Sequence, residues 1–73
     1  MPTVDMKATG MNIRKMCDSA GVSATEMARR AGVSKTAVYK WFNGDSIPTV
    51  DNLVVIATEF RVRIDDVIVV RRA

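Results

Sequence analysis

The stretch ATEMARRAGVSKTAVYKWFN, Ala24 to Asn43, decides how this chain folds. Ser23 precedes it and Glu26 follows three positions later, the spacing of a capping box that satisfies two amide donors at a helix start. Met27, Ala28 and Ala31 give that helix a narrow apolar stripe, and Gly32 closes it. Ser34 then caps a further helix running to about Phe42, with Val38, Trp41 and either Phe42 or Ala37 turned inward, and Asn43-Gly44 ends it. Two helices joined by so short a turn cross steeply, so the first must be small where the second passes over it. Ala28 supplies the small residue, and Gly32 supplies a turn position free of Cβ, where φ must be positive. Met27, Ala31, Val33, Val38 and Trp41 make a shared core, which leaves the other face of the second helix polar.

Outward from this pair the pattern stays helical. Ile13, Met16, Cys17 and Ala20 share one face of a helix that begins at Met11 and ends at Gly21. Thr49, after Pro48, caps a helix reaching Phe60, with Leu53, Ile56, Ala57 and Phe60 as its core face. Arg61-Val62-Arg63 reads as a short connection. Residues 64–70 are rich in β-branched side chains, so a short fifth helix and a terminal strand both remain open. Residues 1–10, MPTVDMKATG, lack periodicity and end in glycine, and read as a flexible arm before a domain at 11–70. Residues 71–73 read as a basic tail. The expected fold is all-α, a compact bundle of about five short helices.

Composition narrows the function. The chain has 73 residues, 48% of them hydrophobic, which suits one small globular domain. No apolar run approaches the roughly 18 residues of a membrane helix, and no signal peptide opens the chain. One cysteine and no histidine exclude an intramolecular disulfide, a plausible zinc or haem site, and any Ser-His or Cys-His nucleophile. An enzyme is not expected, nor a cofactor or metal; Asp65 and Asp66 are adjacent and read as helix-start charges. Net charge is +3, and residues 24–44 carry all of the excess, with four basic side chains against Glu26 alone. The expected setting is the cytoplasm.

Two helices on this spacing, with a polar outer face on the second, are the arrangement of a helix-turn-helix whose second helix enters the DNA major groove. The chain resembles the XRE-like helix-turn-helix family, which includes phage Cro and repressor DNA-binding domains, over roughly Ile13 to Ile68. The resemblance rests on Val22-Ser23, Ala28, Gly32-Val33-Ser34, Val38, Trp41, Asn43-Gly44, Pro48, Leu53, Ala57 and Val62. It implies a lambda-repressor-like fold, a bacterial or phage origin, and a small transcriptional regulator that binds double-stranded DNA.

By that resemblance, Lys35, Thr36, Tyr39 and Lys40 face base edges, and Ser23, Ser34 and Asn43 approach phosphates. Lysine donates to guanine O6 and N7, and the threonine methyl packs on that of thymine. Arg14 and Lys15 are further candidates for flanking backbone. Three departures weaken the phosphate set: the family's glutamine is Ala24 here, and two frequently basic loop positions are Asp45 and Ile47. A fourth is paired. The family's arginine–glutamate ion pair is replaced by Cys17 and Phe42, apolar on both sides, which predicts that the two meet in the core.

Family members commonly bind palindromic operators as symmetric dimers, which adds affinity that a small module lacks. Val54, Ile64 and Ile68 are expected to finish the core, leaving Val55, Val69 and Val70 as the candidate homodimer surface. The alternative function is an antitoxin-like or adaptor module whose main partner is a protein. The acidic C-terminal third favours it, with five acidic against four basic residues in 45–73.

Overall fold

The computed structural model describes residues 2–72, in the order β1 (Pro2–Val4), α1 (Met6–Ala20), α2 (Ala24–Ala31), α3 (Lys35–Asn43), α4 (Val50–Phe60), α5 (Ile64–Val67) and β2 (Val70–Arg72). The caps read from sequence are formed. The hydroxyl of Ser23 accepts from the Glu26 amide at 3.1 Å, that of Ser34 from Ala37 at 3.1 Å, and that of Thr49 from Asn52 at 3.2 Å. Gly32 ends α2 at φ 68, the left-handed conformation that the sharp turn into α3 requires. The capping box is only half made, because the Glu26 carboxylate turns forward to Arg29 and Arg30 instead of back to Ser23. Two charge-assisted partners outweigh one amide.

The core is a single cluster that draws on every helix: Ile13 and Cys17 from α1, Met27 and Ala28 from α2, Val38 and Trp41 from α3, Leu53 and Ile56 from α4, Val67 from α5. Ala24, where the family carries glutamine, is half-buried and packs against this cluster.

Both ends of the chain differ from the sequence reading. Residues 2–10, expected as a flexible arm, form β1 and the first turns of α1; Met1 lies outside the described residues. Asp5 is the true start signal, its carboxylate accepting from the Ala8 amide at 2.9 Å. Gly10 is a helical residue, not a breaker: a Cβ built there would overlap the carbonyl oxygen of Trp41, so α1 and α3 touch backbone to backbone. The open choice over residues 64–70 resolves as both alternatives, a one-turn helix followed by the strand. The expected basic tail is likewise structured in Arg71 and Arg72, with Ala73 outside the described residues.

The two strands pair antiparallel, Pro2 opposite Arg72, Thr3 opposite Arg71 and Val4 opposite Val70. Polar side chains at helical spacing on α1 secure the join. Asn12 donates to the carbonyls of Asp66 and Val67 at 2.8 and 2.9 Å. Thr9, buried to 1% exposure, accepts from the Val69 amide at 2.9 Å, and the Asp5 amide donates to the Val69 carbonyl at 2.8 Å. Most of this clasp lies outside the resemblance, which begins at Ile13.

Candidate nucleic-acid interface

Helix α3 has two unlike faces. Val38 and Trp41 are buried, which fixes the helix against α1 and α2, while Lys35, Thr36, Tyr39, Lys40 and Asn43 are all exposed. No acidic residue interrupts Lys35–Asn43. The sequence-predicted base-contact residues therefore lie together on one outward surface. Ser23 and Ser34 are exposed at the starts of α2 and α3, each with its hydroxyl engaged as a cap. Their capping role is compatible with an anion near the helix starts, where free amides point outward.

The excess charge of residues 24–44 is less available than its count implies. Glu26 takes Arg29 and Arg30 together, at 2.6 to 2.9 Å, and Arg30 also approaches Glu59 at 3.9 Å. Hydrogen bonds from Arg29 and Arg30 hold the Glu26 carboxyl down at about 2, well below its ordinary range. Among the described residues neither Lys35 nor Lys40 is in an ion pair, so the free cations of this segment are on α3.

A ladder of contacts missed in the sequence runs from α3 onto α1. The Lys35 ammonium lies 5.9 Å from the centre of the Tyr39 ring. That ring meets Phe42 edge to face at 6.0 Å, and Arg14 sits 5.9 Å from the centre of the Phe42 ring. Each step contributes about 0.5–1 kcal/mol at exposed positions. The ladder links Lys35 and Tyr39 through Phe42 to Arg14 on α1. Its signal was the three- and four-residue spacing of Lys35, Tyr39 and Phe42.

Phe42 is half-buried against the cluster that contains Cys17. Burial, reinforced by the charge of Asp18 and opposed by Arg30, pushes the Cys17 thiol above its ordinary range. The thiol therefore stays protonated and enclosed, as a packing group.

The sequence model of the helix-turn-helix family matches residues 13–67, most of the chain. The chain belongs to the helix-turn-helix family. Solved structures agree in fold. The restriction-modification controller protein C.AhdI from Aeromonas hydrophila superposes with a TM-score of 0.78 at 19% identity, over 86% of this chain and 96% of that one. The P22 c2 repressor, solved in complex with a synthetic operator, gives 0.73 at 21% over 78% and 86%. The clp gene regulator ClgR from C. glutamicum gives 0.75 at 20% over 89% and 84%. No curated protein matches the chain in sequence.

Among the described residues, the exposed apolar side chains of α4 and the loop before it differ from the surface expected. Val54, assigned to the core from sequence, is 49% exposed, and Val50, one turn earlier, is 72% exposed. Ile47 in the preceding loop is exposed as well. Val55 is half-buried. Val69 is half-buried with both backbone groups bound in the clasp, and Val70 is exposed in β2 opposite Val4. Leu53, Ile56 and Ala57 set the inward direction of α4, which turns Val50 and Val54 onto its flank. No helix among the described residues is long and apolar enough to cross a membrane.

Proposed function

We propose that this protein is a sequence-specific regulator that binds double-stranded DNA with α3 in the major groove. One observation carries the reading: the outward face of α3 is continuous, free of carboxylates, and holds the two unpaired lysines of the segment. Lys35 and Lys40 have the chemistry for guanine O6 and N7, Thr36 for a thymine methyl, and Tyr39 for sugar or base edge. Ser23, Ser34 and Asn43 bracket that face with groups suited to phosphate oxygens. The P22 c2 repressor, which shares the fold, was solved on an operator, and this supports a DNA partner here.

The reading extends to a homodimer on a palindromic operator. Two α3 helices on one face of a duplex require a two-fold axis about one helical turn from half-site to half-site. Val50 and Val54, exposed one turn apart on the same helix with Ile47 exposed in the loop before it, fit a second copy better than Val55, Val69 and Val70, of which Val55 and Val69 are half-buried and Val70 alone is exposed. An adaptor function would use the same residues for a different protein. The dependence of duplex affinity on salt separates the two: a slope of several units in log K against log salt supports DNA binding, and a flat line supports the adaptor. Sedimentation with and without duplex tests the dimer, and a monomer under both conditions would eliminate it.

A further inference from the structure

The parts of the chain outside residues 13–67 come together at the far end of α3. Lys7, in the first turn of α1, lies directly against Gly44. A Cβ built on Gly44 would come 2.8 Å from the Lys7 Cα, 3.0 Å from its Cγ and 3.1 Å from its amide nitrogen. Arg71, opposite Thr3 in the ribbon, lines the same shallow groove, together with Asn43 and Gly44. Two cations from opposite ends of the sequence thus stand beside the residue that closes α3. Neither forms an ion pair among the described residues.

Two carboxylates share the groove. Asp5 is occupied, its Oδ1 accepting the Ala8 amide at 2.9 Å. Asp45 is exposed at its edge. The groove is shallow and open, so it suits an extended polyanion and offers no enclosure for a small molecule. Arginine and lysine side chains around a groove-bound helix contact the flanking phosphates and fix its register. We propose that Lys7 and Arg71 form a second DNA-backbone contact, each holding a phosphate next to the one reached by Asn43. This rests on the DNA-binding reading above.

The chemistry suits a backbone contact. Arginine forks a phosphate with two parallel N–H donors, and lysine meets one as a point charge. The bonds from Asp5 and Thr9 to Val69 fix the backbone of the ribbon in advance, so only the Arg71 side chain is ordered on binding. The pair also supplies positive charge beside Asp45, which stands at a loop position that is frequently basic in the family. Arg72, the next residue along β2, projects to the opposite face of the ribbon and is not part of the contact.

The test uses the full chain and a duplex selected by it from a random pool, titrated across a range of salt. Lys7→Gln and Arg71→Gln should each lower the salt slope by about one unit, and the double variant by about two. Base preference should not change. Asp45→Asn should tighten binding, and Arg63→Gln, which removes a charge at the α4–α5 corner, should leave the slope as it was. A double variant with the wild-type slope, or a loss matched by Arg63→Gln, would overturn the contact. So would a changed base preference, which would put these residues on bases. Thermal melts confirm that each variant is folded. A wild-type chain that binds no duplex overturns the DNA-binding reading and this contact together; failure confined to the variants overturns the contact alone.

Discussion

Gly10 of α1 rests on the carbonyl of Trp41, so the backbones of α1 and α3 touch where any side chain would separate them. Trp41 is buried to 3% exposure on the inward face of the helix that presents Lys35, Thr36, Tyr39 and Lys40. The position of the outward face is therefore set in part by a missing methyl group on another helix.

Gly10→Ala should accordingly destabilise the domain by at least about 2 kcal/mol, because the obstacle is backbone and has no rotamer to change. In a chain of this size that lowers the thermal midpoint by about 10 °C or more. The usual gain from placing alanine in a helix, about 1 kcal/mol, is too small to offset it. A midpoint at or above that of the wild type would show that α1 and α3 can separate freely.

Thr9 links α1 to a residue sixty positions away, and its hydroxyl accepts the Val69 amide at 2.9 Å. Thr9→Val keeps the shape and leaves that amide unpaired, at a cost of about 1–3 kcal/mol in a melt or denaturant titration. Thr9→Ser should recover most of the loss. If valine were tolerated as well as serine, packing alone would hold the clasp.

The pairing of Glu26 with Arg29 and Arg30 makes a prediction for acid. Its carboxyl is lowered from 4.5 to about 2 in the folded chain, so its contribution is complete above about pH 4.5. That contribution falls away as pH drops from 4.5 toward 2. Glu26→Gln should be less stable than the wild type at neutral pH, with the difference shrinking over that window as measured by melting at each pH. A difference that stayed constant with pH would mean that the charge of Glu26 contributes nothing.

Arg61 ends α4 in the left-handed conformation at φ 56, a position usually taken by glycine. Arg61→Gly relieves a steric cost of about 1–2 kcal/mol, partly offset by the entropy of a freer unfolded chain. The net expectation is a gain of about 0.5 kcal/mol, seen as a rise of a few degrees in the melt. A lower midpoint would indicate that the Arg61 side chain has a stabilising role of its own.

What the sequence revealed was local. Ser23, Ser34 and Thr49 act within three residues of themselves, and Gly32 answers a demand of its own turn, so each could be read in place. The outward face of α3 followed from the inward pattern of Val38 and Trp41. What escaped was long-range. Gly10 looks like a helix breaker until Trp41 is beside it, and Asp5, Thr9 and Asn12 look like scattered polar residues until residues 66–69 are. Three-residue strands from opposite ends carry too little pattern to announce their pairing. Val54 was misassigned because hydrophobicity alone does not fix the direction in which α4 packs.

We propose that α3 reads DNA bases through its outward face. The most direct measurement selects bound duplexes from a random pool with the wild-type chain and again with Lys35→Ala. A palindromic consensus that relaxes at one position per half-site in the variant is the predicted result, with about 1–3 kcal/mol of discrimination lost there. Recovery of no consensus, or the same consensus at uniformly lower affinity in the variant, would contradict a base-reading role for Lys35 on α3.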